Sequence, residues 1–313
     1  MLTFILKRVA NGLLMLFAVS FLSFFLMHLG AGNVARLMLG LEATADMVAQ
    51  KNHELGLDKP FIDQYLNWLA GAVRLDLGNA WSMPDAVSNV LFPRLAITLQ
   101  IVSITTLVAI IVAIILGTVA AVFGGVIDRV VQFIGLVGFA VPGFLVAFFL
   151  AALFAIQIPL FNAVGYTQFS DDPYQWLRSV TLPVLALAFS GIASASNQVR
   201  GSVKDALEMD YVRTLRARGL SFNRVVYKHV LRNSAGPALS IIGVQFVGML
   251  GGSILIEQIF AIPGLGPIAV SATAMSDIPM IMGLVLITAM IVIAMNLIVD
   301  LLSAALNPKV RLS

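Results

Sequence analysis

Residues 97–123 read ITLQIVSITTLVAIIVAIILGTVAAVF and contain no Asp, Glu, Lys or Arg. A helix needs about 20 consecutive apolar residues to cross roughly 30 Å of hydrocarbon, and this run exceeds that length. Backbone polar groups cannot stay unpaired in lipid, which restricts spanning segments to helices and closed barrels. Strands of a membrane barrel alternate polar and apolar residues, and this run does not alternate. The stretch therefore predicts a transmembrane helix.

Five further runs on either side of it have the same character. Hydrophobic residues make up 59% of the 313-residue chain and charged residues 11%, and the mean hydropathy of +0.97 is far outside the soluble range. We place the spans near residues 9–29, 97–123, 131–157, 180–199, 234–256 and 279–305. The predicted fold class is an all-α integral membrane protein with six transmembrane helices.

The distribution of charge orients these spans. With the N-terminus inside, the cytoplasmic segments hold 13 basic and five acidic residues (net +8), and the external segments hold six basic and eleven acidic residues (net −5). Because basic residues accumulate on the cytoplasmic side, both termini are predicted to be cytoplasmic. The pI near 9.3 follows from this bias, so no nucleic-acid partner is expected. The run after Lys7 and Arg8 is longer than a signal-peptide core and predicts an uncleaved first helix.

Residues 200–232 read RGSVKDALEMDYVRTLRARGLSFNRVVYKHVLR and hold eight of the 19 Lys and Arg residues. Two apolar stripes at helical spacing run through this stretch. They comprise Val203, Leu207, Tyr211 and Leu215, and then Phe222, Val225, Val226 and His229. Gly219 lies between them, where a left-handed helix C-cap is expected, and Ser221 is placed to cap the next helix. A helix–Gly–helix unit with an apolar ridge on each half suits docking to a partner protein.

Two external segments carry their own patterns. In residues 30–95, a helical spacing of apolar residues follows Pro60, a residue that often starts helices, and predicts short amphipathic helices over the outer mouth. The residues at that spacing are Leu66, Leu69, Val73 and Leu77. The run IPGLGP at 262–267 predicts a rigid bend or re-entrant turn, although a plain loop has the same composition. Pro263, Gly264 and Gly266 are then structural residues.

Sequence patterns of common catalytic and nucleotide-binding sites are absent. The chain contains no GxxxxGK[ST] phosphate loop, no GxSxG elbow and no HExxH pair, so it is not expected to be an enzyme or to bind ATP or another cofactor itself. It has no cysteine, and its three histidines are far apart, which argues against a metal site. Glu257 and Asp300 lie at predicted span ends. For Asp300, structural pairing with a basic residue is favoured over an ion relay.

Four amide side chains lie within the predicted spans or at their ends. Hydrogen bonds between helices are the favoured role for them, although the sequence does not separate that role from lining a path through the membrane. The four residues are Asn197, Gln198, Gln245 and Asn296.

Four motifs, in order along the chain, carry a family resemblance. DYVRTLRARGL (210–220), followed by HVLRNS (229–234) and Pro237, resembles the "EAA" loop of ATP-binding-cassette (ABC) importer permeases, and more narrowly the B-type subunit of the dipeptide/oligopeptide/nickel family. The other segments similar to that family are LGLDKPFIDQYLNWL (55–69) with DLG (76–78), GGSILIEQIFAIPGLG (251–266) and LIVDLLSAALNPKVR (297–311). Asn307 stands where the family commonly has Asp.

The resemblance implies a single permease domain over residues 1–313. Within it, residues 30–95 would be the external helical segment, 96–305 the permease core, and 200–235 a cytoplasmic coupling loop between spans 4 and 5. The residues that the resemblance implies for ATPase coupling are Glu208, Asp210, Tyr211, Leu215, Ala217, Gly219 and Leu220.

The resemblance also implies the assembly. The chain would pair with a sister permease in the lipid of a bacterial or archaeal plasma (inner) membrane, above two ATP-binding subunits. An external solute-binding protein would deliver the cargo. Short peptides are the leading cargo, with nickel or another small solute as the alternative. An ion-coupled secondary transporter is a further alternative, which the docking stretch and the lack of midplane carboxylates disfavour.

Overall fold

The computed structural model describes residues 2–30, 34–40 and 42–306, and side chains within these ranges except at 2–5, 235–242 and 304–306. Asn307 and the basic residues Lys309 and Arg311 lie outside the described residues. The described part of the chain is helical, with one isolated β-bridge between Asn79 and Ala86.

The helices fall into long apolar ones and shorter connecting ones. In chain order they are α1 (Leu2–Gly30), α2 (Val34–Leu39), α3 (Ala45–Glu54), α4 (Phe61–Val73), α5 (Val87–Phe123), α6 (Gly125–Ala140), α7 (Gly143–Ala151), α8 (Pro173–Glu208), α9 (Asp210–Ala217), α10 (Phe222–Val225), α11 (Leu231–Ile259), α12 (Leu265–Ala274) and α13 (Ile278–Leu306). Single π-helical turns follow α7 (Ala152–Gln157) and α10 (Val226–Val230).

Among the described residues, four helices are long and apolar enough to cross a membrane, and five spans result if one bent pair counts as a single span. The four lie in α1, α5, α8 and α13. The bent pair is α6 with the α7 segment to Gln157. The protein is thus a multi-pass membrane protein. The predicted fifth span falls in α11, whose residues Gly243–Ile259 form a shorter apolar helix, so six spans and the placement of both termini remain predictions.

The span predicted at 131–157 is not one continuous helix, because α6 and α7 meet at an angle of 97°. Val141 is extended, with ψ near 120°, and Pro142 is the N-cap of α7. A proline disfavours helical geometry at the residue before it and removes one backbone donor, which breaks the helix at this point. The uninterrupted apolar run concealed this break.

The chain divides into two compact units. The first comprises Met1–Ile97 and Gly264–Ala294, and the second Thr98–Pro263 and Met295–Ser313. In the first unit, α1 and α4 pack through a cluster of aromatic rings, and the Ser20 hydroxyl lies 3.0 Å from the Tyr65 hydroxyl. The rings are those of Phe17, Phe21, Phe24, Phe61, Tyr65 and Trp68.

This cluster corrects the predicted stripe on α4. The helix exists and begins directly after Pro60, as predicted. However, Leu66 is 54% exposed and Val73 is 78% exposed, whereas Tyr65 is 2% exposed. The α4 face that packs onto α1 is therefore aromatic. Of the four predicted stripe residues, Leu77, beyond the helix, is buried and Leu69 is half-buried against the aromatic cluster. Apolar spacing identified the helix but not its buried face.

In the second unit, α8 packs against α6, α7 and α11. Small residues allow the close contacts. A Cβ at Gly117 of α5 would lie 2.7 Å from the Ser196 backbone oxygen, and one at Gly138 of α6 would lie 2.7 Å from the Ala193 Cβ. Such separations are shorter than any normal contact, so both positions require glycine. Close backbone approach at small residues is the usual way that membrane helices pack.

Candidate functional site

The backbone of the Arg200–Arg232 loop follows the predicted helix–Gly–helix pattern at its centre. Gly219 has φ of +84°. Its N–H donates to the Arg216 carbonyl at 2.9 Å, and the Leu220 N–H donates to the Leu215 carbonyl at 3.3 Å. These are the two hydrogen bonds of a Schellman motif, in which the left-handed residue closes the helix. The prediction of a left-handed C-cap at Gly219 is confirmed.

Ser221 fills only part of its predicted role. It occupies the N-cap position of α10, with extended backbone, but its side chain makes no capping hydrogen bond. Its carbonyl accepts from the Val225 N–H at 3.1 Å, which is the first bond of the helix. The turn after Gly219 therefore depends on the glycine conformation and on packing.

The first stripe does not lie on one continuous helix. Helix α8 ends at Glu208, Met209 is extended with ψ of 146°, and α9 starts at Asp210. Even so, the stripe is joined in one apolar cluster, which we call the loop core. Its buried members are Val199, Val203, Ala206, Val212, Val225 and Val230, and Leu207, Tyr211, Leu215 and Leu220 pack against them.

The loop core changes the interpretation of the stripe. Leu215 and Tyr211 are half-buried against the loop's own residues, so their largest apolar contacts are internal. Among the residues that the resemblance implies for coupling, Leu220 is also half-buried, whereas the others are exposed. The exposed ones are Glu208, Asp210, Ala217 and Gly219. The outward surface of α9 is completed by Arg213 and Thr214.

Two hydrogen bonds fasten this loop to the long helices. The Asn233 amide donates to the Tyr211 hydroxyl at 3.4 Å, which joins α11 to α9. The Ser234 hydroxyl donates to the Ser202 carbonyl at 3.1 Å, which joins α11 to α8. On the second half of the loop, Val225 and Val226 are buried while Lys228 is exposed. The loop is thus a packed unit continuous with two long helices.

An ion pair joins the first turn of α6 to α8. Asp128 forms a two-pronged ion pair with the guanidinium of Arg200, and the Gln132 amide donates to the same carboxylate at 3.0 Å. Both charged side chains are about four-fifths buried, with exposures of 18% and 20%. The sequence analysis missed this pair, because the partners are 72 positions apart and leave no local pattern.

The IPGLGP run is half turn and half helix. Ala261 has φ of +49°, and the Ile262 N–H donates to the Glu257 carbonyl at 2.8 Å, which closes α11. Gly264 is the N-cap of α12, and Gly266 lies within its first turn. The predicted bend is therefore confirmed for the first half of the run only. Pro263 is exposed between the two helices.

Carboxylates are buried in both units. Glu257, at the end of α11, is fully buried and accepts a hydrogen bond from the Thr98 hydroxyl at 2.7 Å. Burial of a carboxylate requires such donors, because an isolated charge would be very costly to desolvate. Asp300 is partly buried on α13. Its predicted pairing with a basic residue stays a prediction.

Asp277 is the residue that sequence reasoning missed most completely. In the first unit its carboxylate is 1% exposed and accepts from the Trp81 N–H at 2.9 Å, the Ser82 N–H at 2.8 Å, the Ser82 hydroxyl at 2.7 Å and the Met280 N–H at 3.1 Å. It therefore anchors the segment before α5 and caps α13 at once. Its position before Ile278 and Pro279 at a helix start was the only signal available.

Comparisons with known proteins agree with this architecture. Residues 109–312 match the model of the "binding-protein-dependent transport system inner membrane component" family, and residues 1–105 match its N-terminal companion. The chain belongs to this family. A Brucella abortus protein, described by its name as a peptide transport system permease, is 36% identical over 308 residues, covering 98% of each chain. The glutathione transport system permease protein GsiC of Shigella flexneri is 35% identical over 312 residues, 99% of each chain.

A solved structure shares the fold. A chain of the MetNI methionine ABC transporter, in an inward-facing conformation, superposes with a TM-score of 0.56 at 15% identity, over 70% of this chain and 96% of that one. The permease is thus built on the same helical framework as that transporter chain. At this level of identity the likeness concerns the fold alone.

The four amides of this permease differ in their surroundings. Gln245 of α11 donates to the Gly191 carbonyl of α8 at 3.1 Å, so its predicted interhelical bond is confirmed. Asn197, Gln198 and Asn296 are exposed. Two cavities of about 440 and 760 Å³ adjoin this part of α8, and both are lined by Phe139 and Ser194. Asn197 and Gln198 line the larger cavity.

Proposed function

We propose that this permease is one of two membrane subunits in an importer driven by ATP hydrolysis in two separate subunits. Its partner would be a sister permease of related fold, and an extracytoplasmic solute-binding protein would deliver a short peptide as cargo. In this proposal the chain crosses a bacterial or archaeal plasma membrane six times, with both termini in the cytoplasm, which agrees with the net charge of +8 on the cytoplasmic segments.

The observation that carries this proposal is the construction of the Arg200–Arg232 loop. A flexible loop would absorb a push from a partner, whereas a packed one transmits it to the helices. Here the loop core, the Gly219 cap and the bonds at Ser234 and Tyr211 make α9 continuous with α8 and α11. ATP-driven closure of the partner subunits would then move the long helices as rigid bodies.

The exposed side of α9 is the surface that we assign to the ATPase subunit. It presents Asp210, Arg213, Thr214 and Ala217 beside the exposed Met209. The short side chains of Asp210, Thr214 and Ala217 let a partner approach the helix closely. Glu208 and Gly219 lie at the two ends of this surface. Tyr211, Leu215 and Leu220 would support it from beneath.

The names of the relatives favour a peptide cargo. One is a peptide transport permease and another a glutathione transport permease, and glutathione is itself a modified tripeptide. Nickel or another small solute remains the alternative cargo of the same machinery. We further propose that the chain binds no ATP and no cofactor itself, because it contains no phosphate-binding loop.

Reconstitution tests the whole proposal. The permease, its sister, the two ATPase subunits and the binding protein are placed in liposomes, and uptake of labelled di- to pentapeptides and of Ni²⁺ is measured. We expect peptide uptake that needs ATP and resists a proton ionophore. Uptake without the ATPases that an ionophore abolishes would indicate a secondary transporter, and ATP turnover by this chain alone would contradict the assignment of roles.

A matched pair of variants tests the assigned surface. Ala217→Arg places a long cation on the exposed side of α9, while Asn223→Arg places the same cation at an exposed position of α10. We expect Ala217→Arg to release the ATPase subunits during co-purification and to abolish uptake, with Asn223→Arg close to the parent. Equal retention of the ATPases by both variants would show that the ATPases do not contact this side of α9.

A further inference from the structure

One face of α8 carries four exposed polar side chains in a stretch where the other residues are buried or half-buried. They are Ser190, Ser194, Asn197 and Gln198. Their spacing, i, i+4, i+7 and i+8, places them in one row along the helix. We call this row the polar stripe. The other side of the same stretch is buried, with Ala188, Ser196 and Val199 each less than a tenth exposed.

Neither hydrocarbon nor a closely packed apolar surface suits the polar stripe. Hydroxyl and amide groups that face lipid lose their hydrogen bonds to water and receive nothing in return. The apolar exposed residues of the chain, such as Leu185 on the opposite side of α8, meet lipid without that cost. The polar stripe therefore requires water or a polar partner.

Open space lies directly against the stripe. The smaller cavity is lined by Ser190 and Ser194, and the larger one by Ser194, Asn197 and Gln198. Ser194 thus borders both, so the two cavities follow the stripe along the helix. On the opposite wall, Gln245 holds its amide against the Gly191 carbonyl. A helix packed closely into this face would fill this space, whereas in the chain it is open to water and a solute.

We propose that the polar stripe is the wall of the translocation path contributed by this subunit, and that it holds the main-chain amide groups of a peptide in transit. This inference rests on the proposed importer function. The stripe contains donors and acceptors but no ionisable group, and Arg200, at its end, is engaged by Asp128. Neutral hydroxyls and amides replace the water around peptide groups without selecting a side-chain charge.

The natural absence of cysteine makes the stripe directly testable. Single cysteines are introduced in the fully assembled transporter in liposomes, and labelling of this chain is followed by its mass. The test positions are Ser190→Cys and Ser194→Cys. The matched controls on the same helix are Ser196→Cys, at a site 2% exposed, and Leu185→Cys, at an apolar site 42% exposed. Each variant is treated with a charged, membrane-impermeant thiosulfonate and, separately, with a lipid-soluble maleimide.

We expect both stripe cysteines to react with the charged reagent at least tenfold faster than the Ser196→Cys and Leu185→Cys controls. Saturating peptide with binding protein should slow this reaction severalfold. Labelling by the lipid-soluble reagent alone would place the stripe against lipid. Reaction in the isolated chain but not in the assembled transporter would place it under a partner subunit. Either result overturns the proposal.

A selectivity measurement separates this proposal from the importer function itself. Ser194→Asp introduces a charge into the stripe, and Ser194→Asn keeps it neutral. We expect Ser194→Asp to lower uptake of an anionic peptide roughly tenfold relative to a cationic one, and Ser194→Asn to leave that ratio unchanged. An unaltered ratio in Ser194→Asp, with peptide uptake intact, contradicts the stripe but not the importer. Absence of ATP-driven peptide uptake in the parent contradicts the importer, whatever the labelling pattern.

Discussion

The Arg200–Arg232 loop and the α4 segment both present apolar residues at helical spacing, and the loop buries them more completely than the α4 segment does. In the loop, all four residues of the first stripe and Val225 of the second join one core. On α4, Leu66 and Val73 are exposed and the aromatic face packs onto α1 instead. The outer surface of the loop is mostly polar, so its few apolar residues are buried together in one cluster. On α4 apolar residues cover about half of the helix surface, opposite Asp63, Gln64 and Asn67. Ring size and the Ser20–Tyr65 contact decide which of these apolar residues are buried.

The largest effect is expected at the aromatic face of α4. Tyr65→Ala removes a ring that is 2% exposed and packed against rings of α1, and should lower the free energy of unfolding by about 3–5 kcal/mol. Leu66→Ala, one residue along, should change it by no more than about 0.5 kcal/mol. Thermal unfolding of the purified chain in detergent measures both. The opposite order would restore the predicted stripe as the buried face.

The second effect concerns the loop core. Leu215→Asp places a carboxylate among apolar side chains, and should destabilise the loop by about 3 kcal/mol because the charge has no partner there. We expect the ATPase subunits to be lost together with increased proteolysis of the loop. Leu215→Met, which keeps the volume, should retain both properties. Loss of the ATPases with no change in proteolysis would mean that Leu215 contacts them directly.

The third effect is conformational. A β-branched residue is strained at the φ of +84° that Gly219 adopts, so Gly219→Val should cost roughly 1–2 kcal/mol locally and turn α9 away from its present direction. Peptide uptake should fall while membrane insertion and abundance stay near normal. Gly219→Asn is the control, because asparagine tolerates left-handed geometry better than other residues. Parental uptake by Gly219→Val would show that this bend is dispensable.

The two regions also show what the sequence could predict. Composition identified the apolar helices, and a glycine between two stripes identified the cap at Gly219, because both depend on local physics. The break at Pro142 carried a local signal too, but a continuous apolar run obscured it. The four hydrogen bonds to Asp277 were beyond reach, since Trp81 and Ser82 lie about 195 residues earlier in the chain. The direction of the polar stripe on α8 likewise depends on which faces its neighbours cover.

The smallest effect is expected on the basic side of the loop. It tests whether these basic residues bind the ATPase subunits or only orient the membrane spans. Lys228 is exposed on the second half of the loop, on the side away from the buried Val225 and Val226. A surface charge of this kind contributes at most about 1 kcal/mol to any contact, and near lipid headgroups its attraction falls with salt. Lys228→Gln should therefore retain the ATPase subunits and at least half of parental uptake in intact cells. If it instead loses the ATPases more completely than Leu215→Asp does, the contact is electrostatic and lies on the second helix, and the α9 surface is not the coupling site.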